Sequence, residues 1–203
     1  PMPPDTVVFD IGKVLLDWDP RHLYRRLIPD EAAMERFLAE VCTPEWNLAQ
    51  DRGRPWAEAI AERCARFPEQ AALIQAFRAQ WHAMIAGPVP GSLELLAALR
   101  ARGVPLYAIT GHAVDTFEES IPRFPFLREA FRDVVVSGRE GVTKPDPAIY
   151  RLLLDRNGLD AARCLFIDDS LANVRGAEAV GMVAHHFRDA ATLAAALRGF
   201  GLL

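Results

Sequence analysis

Five residues that could carry out chemistry lie at the ends of short apolar runs or in a nearby loop. Asp10 follows TVVF, Thr110 ends PLYAIT, and Asp168 and Asp169 follow CLFI, while Lys144 opens the later segment KPDPAIY. Runs of this kind are typical of strands buried on both faces of a parallel sheet. Because parallel strands end at one edge of their sheet, we expect these five side chains to meet there.

This predicted cluster is too acidic to be stable without a cation. Three carboxylates beside a single ammonium group cannot all stay ionised unless another positive charge compensates them. No histidine stands at metal-ligand spacing near them, so the ligands would all be oxygen atoms. Oxygen ligands favour Mg²⁺, which also binds substrate phosphate. The residue types therefore predict a magnesium site.

Helical segments alternate with the strand-like runs. LELLAALRAR follows Ser92, AIYRLLLDRN follows Pro147 and stops at Gly158, and LANVRGAEAV follows Ser170. Serine and proline are common at helix starts, and glycine is common at helix ends. The alternation predicts an α/β fold, with a Rossmann-like parallel sheet and helices on both of its faces.

The segment 16–87 differs from the rest of the chain. It contains helical patterns and no strand candidate, and it ends in the Pro- and Gly-rich sequence GPVPG at 87–91. We interpret it as an inserted α-helical cap that overhangs the edge of the sheet. The predicted α/β core is then 1–15 together with 88–203, and GPVPG is the predicted return hinge.

Charge and hydropathy exclude several classes of function. The 203 residues carry a formal net charge of −4 with no long run of lysine or arginine, so a nucleic-acid partner is not expected. The apolar runs are short and interrupted by charged residues, which argues against a membrane segment. These features predict a cytoplasmic protein that acts on a small molecule, and they leave its oligomeric state open.

Four motifs of this sequence, taken together, resemble those of the haloacid dehalogenase-like (HAD) hydrolase superfamily. They are FDIGKV at 9–14, ITG at 109–111, KPDPAIY at 144–150 and FIDDSLANV at 166–174, in the order and spacing of that family. The resemblance covers nearly the whole chain and is strongest to branches that include bacterial sugar-phosphate phosphatases. It implies an α/β core with a helical cap, and hydrolysis of phosphate esters.

The resemblance also implies roles for individual residues. Asp10 would attack phosphorus and form an aspartyl-phosphate, which divides one difficult step into two easier ones. Thr110 would donate its hydroxyl to a phosphoryl oxygen, and Lys144 would neutralise charge as the transition state forms. Gly111 and His112 directly follow Thr110 and are expected beside the substrate.

The metal ligands are implied in the same way. Mg²⁺ would be held by the Asp10 carboxylate, the backbone carbonyl of Gly12 and the Asp169 carboxylate. Asp168 would bind the ion directly or through water. Asn173 would support this acidic loop.

One departure from the family pattern bears on mechanism. Phosphatases of this family commonly carry a second aspartate two residues after the nucleophile as general acid and base, and here that residue is Gly12. Such catalysis is typically worth about 10²–10⁴-fold in rate. Either another group such as His112 serves, the leaving group is already good, or the enzyme is slow. Gly111 is a second departure, since relatives often have asparagine there.

The cap offers two further candidates. Trp46 and Arg52 lie in TPEWNLAQDRG and could present an aromatic ring and a cation to the non-reacting end of a substrate. A helical bundle also needs large apolar side chains in its interior, and for Trp46 this packing role is the favoured interpretation.

The leading hypothesis is a Mg²⁺-dependent phosphatase that hydrolyses a small phosphorylated metabolite, with a sugar phosphate as the first candidate. Two alternatives stay open because of Gly12. A metal-independent 2-haloacid dehalogenase would use the same carboxylate on carbon and needs no leaving-group acid. A low-turnover protein that only binds a phosphometabolite would not need one either.

Overall fold

Seven strands and twelve α-helices make up the protein, and a computed structural model describes all 203 residues. The strands are β1 (Thr6–Phe9), β2 (Leu16–Trp18), β3 (Ile85–Pro88), β4 (Leu106–Thr110), β5 (Asp133–Val136), β6 (Cys164–Asp168) and β7 (Val183–His186). The helices are α1 (Arg21–Leu27), α2 (Glu31–Glu40), α3 (Pro44–Asp51), α4 (Trp56–Arg66), α5 (Ala71–Ala79), α6 (Ser92–Ala101), α7 (Val114–Ser120), α8 (Phe126–Glu129), α9 (Ser137–Glu140), α10 (Pro147–Asn157), α11 (Leu171–Ala179) and α12 (Ala190–Gly199). None of these helices combines the length and the apolar character that crossing a bilayer requires.

Five strands form one parallel sheet in the order β5-β4-β1-β6-β7. Each of the three apolar runs that the sequence analysis singled out, TVVF, PLYAIT and CLFI, contributes a strand to this sheet. Every residue of β1, β4 and β6 is buried. Burial of both faces explains why these strands are nearly continuous apolar runs without polar alternation. The predicted α/β fold with a parallel sheet is confirmed.

Helices cover both faces of the sheet, as predicted. Successive residues of β1 point to opposite faces, so Val7 and Phe9 belong to one apolar cluster and Val8 to another. The first cluster includes residues of α6, α7 and α12, among them Leu99. The second includes residues of α10 and α11, among them Leu153. Each face of the sheet therefore packs against its own apolar core, and the sheet lies between the two cores.

The chain between β2 and β3 folds into the five helices α1 to α5. A third apolar cluster holds these helices together, and its large members include Tyr24, Phe37 and Phe77. Apart from Ala113, its fully buried residues all come from this insertion. The insertion is thus helical and has an interior of its own. The exact division into 1–15 with 88–203 as core and 16–87 as cap stays a prediction.

Two short strands that the sequence analysis missed join the insertion to the sheet. β2 and β3 pair antiparallel, with Leu16 opposite Pro88 and Trp18 opposite Ile85. The expectation of no strand between 17 and 87 is therefore wrong at both ends of that segment. The two segments are only three and four residues long, and their partners are far apart in the sequence, so no local pattern reveals them. Two of the five residues of the predicted hinge GPVPG, Gly87 and Pro88, belong to β3.

Candidate active site

A buried lysine binds two carboxylates at the carboxyl edge of the sheet. The Nζ atom of Lys144 lies 2.9 Å from Oδ1 of Asp10 and 2.9 Å from Oδ2 of Asp168, and it donates a third hydrogen bond of 2.9 Å to the carbonyl of Ile109. The lysine side chain is 4% exposed and the aspartate side chains 10% and 0%. All three N–H groups of the ammonium are used, so its position is fixed.

The order of the strands explains this convergence. β1 lies between β4 and β6, with Phe9 opposite Ala108 on one side and Ile167 on the other. The residues that follow or end these three strands are Asp10, Thr110 and Asp168, and they meet although they are far apart in the sequence. The predicted meeting of the strand ends is present in the structure.

Three hydrogen-bond donors hold the carboxylate of Asp168. Its Oδ1 accepts from the backbone N–H of Ser170 at 2.9 Å, and its Oδ2 accepts from the side-chain amide of Asn173 at 3.1 Å as well as from Lys144. Burial raises the pKa of this carboxyl, but the charge of Lys144 and these hydrogen bonds outweigh burial, and the net shift is downward. Asp168 is therefore a fixed anion.

The three carboxylates fit a divalent cation. Oxygen atoms of Asp10, Asp168 and Asp169 lie within 4.8 Å of one another. Burial first, and then the charge of Asp168, raise the pKa of Asp169, and burial raises that of Asp10 despite Lys144. The carbonyl oxygen of Gly12 accepts none of the backbone hydrogen bonds. Clustered carboxylate oxygens with excess negative charge are the ligands that Mg²⁺ prefers, and the unused Gly12 carbonyl, two residues after Asp10, is available as a further oxygen ligand.

The predicted phosphate-binding residues stand at the end of β4. Thr110 is the last residue of the strand and is 1% exposed, and Gly111 next to it is exposed. On the nucleophile loop, a side chain at Gly12 would meet no atom within 4 Å of its Cβ. The space that an acid at this position would occupy is open in this protein.

A cavity of about 70 Å³ lies beside the nucleophile loop, between the sheet edge and the helical insertion. Three polar atoms of its lining residues are buried without a hydrogen-bond partner: Nε1 of Trp18, Oδ1 of Asn47 and Nε2 of His112. Buried polar groups without partners are uncommon in folded proteins and are candidates for contacts with a ligand. The remaining lining residues are Ile11, Gly12, Leu16, Asp51, Trp81, Ile85 and Gly111.

Trp18, Asn47 and Asp51 are cavity residues that sequence reasoning missed. The last two are four positions apart on α3, hence on one face of that helix, and this spacing is a signal that the sequence does contain. The sequence gives no indication that α3 packs against the edge of the sheet.

A second cavity, of about 480 Å³, is lined by the same three residues and by others of the helical insertion, and its lining includes Lys13 and Arg21.

His112 sits deep in aromatic surroundings. Its ring is edge-on to Trp81, with centroids 4.9 Å apart, and edge-on to Phe117, with centroids 5.6 Å apart. Burial, and then the charge of His82, lower the pKa of His112 to about 4. The imidazole is therefore neutral at neutral pH, and it can accept or donate a hydrogen bond but carries no charge to a substrate.

The two candidates from the cap lie elsewhere. Trp46 is 4% exposed and packs edge-on against Trp56 and Phe77, in the interior of the helical insertion. The structure thus gives Trp46 the packing position that the sequence analysis favoured, and it does not bring Trp46 to the cavity. Arg52 donates from Nε to the hydroxyl of Thr143 at 3.1 Å, next to the active-site lysine, and lines neither cavity.

Asp51 is the one ionisable group of the insertion that lines both cavities and has a strongly shifted pKa. It ends α3, and its Oδ2 lies 3.7 Å from the position that a Cβ of Gly111 would take. Burial raises its pKa to about 7, although the charge of Lys144 acts in the opposite direction.

This shift predicts a pH-dependent effect of Asp51→Asn on stability. A carboxyl with a folded-state pKa near 7 and an ordinary unfolded value near 3.8 stays protonated in the folded chain while the unfolded chain ionises. Stability is thus lost as pH rises from about 4 to about 7, and the amide variant escapes this loss. We expect urea denaturation to show Asp51→Asn more stable than wild type by about 1–3 kcal/mol near pH 8. If Asp51→Asn were no more stable than wild type near pH 8, as near pH 4, this prediction would be wrong.

The fold and the site define an α/β protein with a helical insertion and an acidic site at the carboxyl edge of a parallel sheet. The chain belongs to the haloacid dehalogenase-like hydrolase family, whose sequence model matches residues 4–181. Three comparisons illustrate its relationships.

A sesquiterpene phosphatase of Aspergillus oryzae is 27% identical over 194 residues, which cover 94% of this chain and 93% of that protein. Phosphoglycolate phosphatase of Rhodospirillum rubrum is 37% identical over 93 residues, which cover 46% of this chain and 38% of that protein. Among solved structures, a HAD family enzyme from Bacteroides thetaiotaomicron superposes with a TM-score of 0.73 at 20% sequence identity. The superposition covers 92% of this chain and 95% of the chain of that enzyme. That enzyme has also been crystallised with magnesium and inorganic phosphate.

Proposed function

We propose that this enzyme is a Mg²⁺-dependent phosphatase that hydrolyses a small phosphorylated metabolite through an aspartyl-phosphate on Asp10. The observation that carries the proposal is the group of three carboxylates, Asp10, Asp168 and Asp169, whose oxygen atoms lie within 4.8 Å of one another. Two of them, Asp10 and Asp168, are buried and bind Lys144. The names of two similar proteins, a sesquiterpene phosphatase and a phosphoglycolate phosphatase, support the same reaction class.

The first step of the reaction follows from the surroundings of Asp10. Oδ1 is fixed by the N–H of Ile11 at 2.8 Å and by Lys144, which leaves Oδ2 to attack phosphorus. As the new O–P bond forms, the bond from phosphorus to the leaving oxygen breaks. Lys144 stabilises the negative charge that gathers on the phosphoryl oxygens, and the hydroxyl of Thr110 donates to one of them.

The second step regenerates the enzyme. Water attacks the phosphorus of the aspartyl-phosphate, the bond to Asp10 breaks, and inorganic phosphate leaves. Mg²⁺, when bound, would neutralise phosphoryl oxygen charge in both steps. Asp10, Asp169 and the carbonyl of Gly12 would hold the ion. Both oxygens of Asp168 accept hydrogen bonds within the chain, so this residue is suited to bind it through water.

The substrate's leaving group would occupy the cavity beside the nucleophile loop. Nε1 of Trp18 can donate a hydrogen bond, Oδ1 of Asn47 can accept one, and Nε2 of His112 can do either. Apolar residues, Trp81 among them, form much of the rest of the lining. Hydroxyl groups on a compact carbon skeleton would match this mixture, so a sugar phosphate is the first candidate. A sugar 1-phosphate has a comparatively good leaving group, which suits a site without an acid at Gly12.

Phosphate release from acetyl phosphate, 4-nitrophenyl phosphate and a panel of sugar phosphates tests the proposal. We expect hydrolysis with Mg²⁺ and its loss when EDTA removes the ion, because Lys144 alone then has to offset the charge of three carboxylates and of the phosphoryl group. Halide release from 2-haloacids without Mg²⁺ would favour a dehalogenase instead. Tight binding of a phosphometabolite with no turnover above the nucleophile variant Asp10→Asn would favour a binding protein.

A further inference from the structure

The proposed phosphatase lacks a proton-transfer group on its nucleophile loop. The leaving oxygen needs a proton as it departs, and the attacking water must lose one, but Gly12 has no side chain. The inference developed next rests on the proposed function, because it supplies the group that this reaction needs. Any such group must lie near Gly12, and only two ionisable side chains line the small cavity that Gly12 also lines: His112 and Asp51.

His112 is a poor proton donor here. Its ring is enclosed by Trp81 and Phe117. Burial lowers its pKa to about 4, so at neutral pH it has no proton to give as an acid. The alternative that the sequence raised for His112 therefore lacks support from its surroundings.

The carboxylate of Asp51 faces the reaction space. Its Oδ2 lies 3.7 Å from where a Cβ of Gly111 would stand, and Gly111 directly follows the predicted phosphate-binding Thr110. Asp51 and Gly12 line the same cavity, and a Cβ at Gly12 would meet no atom within 4 Å. No hydrogen bond within the chain engages the Asp51 carboxylate; its recorded bond is through the backbone carbonyl.

The end of α3 is fixed to the core, which defines the backbone position of Asp51. The hydroxyl of Ser137 donates to the backbone carbonyl of Asp51 and accepts from the N–H of His112 at 2.9 Å. One residue later, Arg52 donates to Thr143. These bonds join the end of α3 to the first residue of α9 and to the loop that carries Lys144.

The charges around Asp51 leave it able to exchange a proton near neutral pH. Burial raises its pKa to about 7, and Lys144 is the charged group that opposes this. Charged side chains of helices packed against α3 are paired with other partners: Glu58 with Arg54, Glu62 with Arg63, Arg139 with Glu118, and Glu140 with Arg156. The other charged residues that line the larger cavity together with Asp51 are Lys13, Arg21, Glu35 and Glu45.

We propose that Asp51, supplied by the helical insertion, is the catalytic acid and base in place of the side chain missing at Gly12. In the first step the Asp51 carboxyl gives its proton to the leaving oxygen as that oxygen separates from phosphorus. In the second step the Asp51 carboxylate takes a proton from the water that attacks the aspartyl-phosphate. The proton lost in the first step is regained in the second, so the cycle closes.

Rapid-mixing kinetics of Asp51→Asn with two substrates tests this role. Nitrophenolate leaves without a proton, so 4-nitrophenyl phosphate should still give a fast burst of about one equivalent, followed by turnover slowed about 10²–10⁴-fold because the water-activating base is missing. Butyl phosphate, whose leaving group needs a proton, should show slow turnover and no burst. Glu69→Gln, an exposed carboxylate of the same insertion, is the control and should behave like wild type.

A second variant tests the chemistry of the group. Gly12→Asp has room for its side chain and should restore part of the turnover of Asp51→Asn by supplying a carboxylate from the nucleophile loop. Wild-type turnover of butyl phosphate by Asp51→Asn would overturn the role of Asp51. So would an equal slowing of burst and steady state with 4-nitrophenyl phosphate, which indicates damaged binding. Failure of the proposed function looks different, because wild type itself would then be no faster than Asp10→Asn.

Discussion

Asp10→Asn should lower phosphatase turnover about 10⁴–10⁶-fold, the loss typical of removing a nucleophile. The amide oxygen is far less nucleophilic than a carboxylate and cannot form the aspartyl-phosphate. The variant should fold normally, because Oδ1 can still accept from Ile11 and Lys144 while the buried negative charge is gone. Phosphate release at saturating Mg²⁺ measures the effect.

The matched control for this variant is Asp155→Asn. Asp155 is an exposed residue of α10, and its substitution also removes one carboxylate. We expect wild-type turnover from it. Activity of Asp10→Asn within about 10-fold of wild type would show that the carboxylate is not the nucleophile, since nucleophile variants lose far more.

Lys144→Met should destabilise the protein by about 3–5 kcal/mol at neutral pH, the usual cost of leaving buried charges without their partner. The ammonium group is the cation that Asp10 and Asp168 share, and all three side chains are at most 10% exposed. Turnover should fall as well, because no side chain then offsets the charge on the transferred phosphoryl group. Urea denaturation measures the first effect and phosphate release the second.

The protein has only one other lysine, and it provides the control. Lys13 is exposed and adopts a left-handed backbone conformation with φ of 66°, which methionine would share. Lys13→Met should therefore change stability by no more than about 0.5 kcal/mol, as surface substitutions usually do. The double variant Lys144→Met with Asp168→Asn should regain stability relative to Lys144→Met alone. If Lys144→Met were as stable as Lys13→Met, the buried ion pairs would not be the strong contacts described above.

The sequence was sufficient to predict the residues that meet at the strand ends. Each apolar run of the sheet ends at a polar residue, and the rule that parallel strands share an edge places Asp10, Thr110 and Asp168 together without any distance information. The alternation of strands and helices likewise predicted the sheet and its two covered faces. These features depend on local patterns and on a topology with few alternatives.

Features that depend on the docking of the insertion could not be predicted. Trp18, Asn47 and Asp51 reach the active site only because α3 and the β2–β3 pair lie against the sheet edge, and no periodicity encodes that contact. Trp46 was a candidate for a substrate contact by residue type, with interior packing as the favoured interpretation, and the helical bundle does use its ring for packing. Ser92 was expected to cap α6, whereas Gly91 takes the N-cap position. Residue type alone does not distinguish these outcomes.

The most direct test of the covalent mechanism is to find the phosphoryl group on the enzyme. Wild type mixed rapidly with acetyl phosphate and Mg²⁺, quenched in acid and digested should give a phosphorylated peptide that contains Asp10. Asp10→Asn should give none. Phosphate release on the same time scale with no labelled Asp10 peptide, or with the label on another residue, would contradict the assignment of Asp10 as the nucleophile.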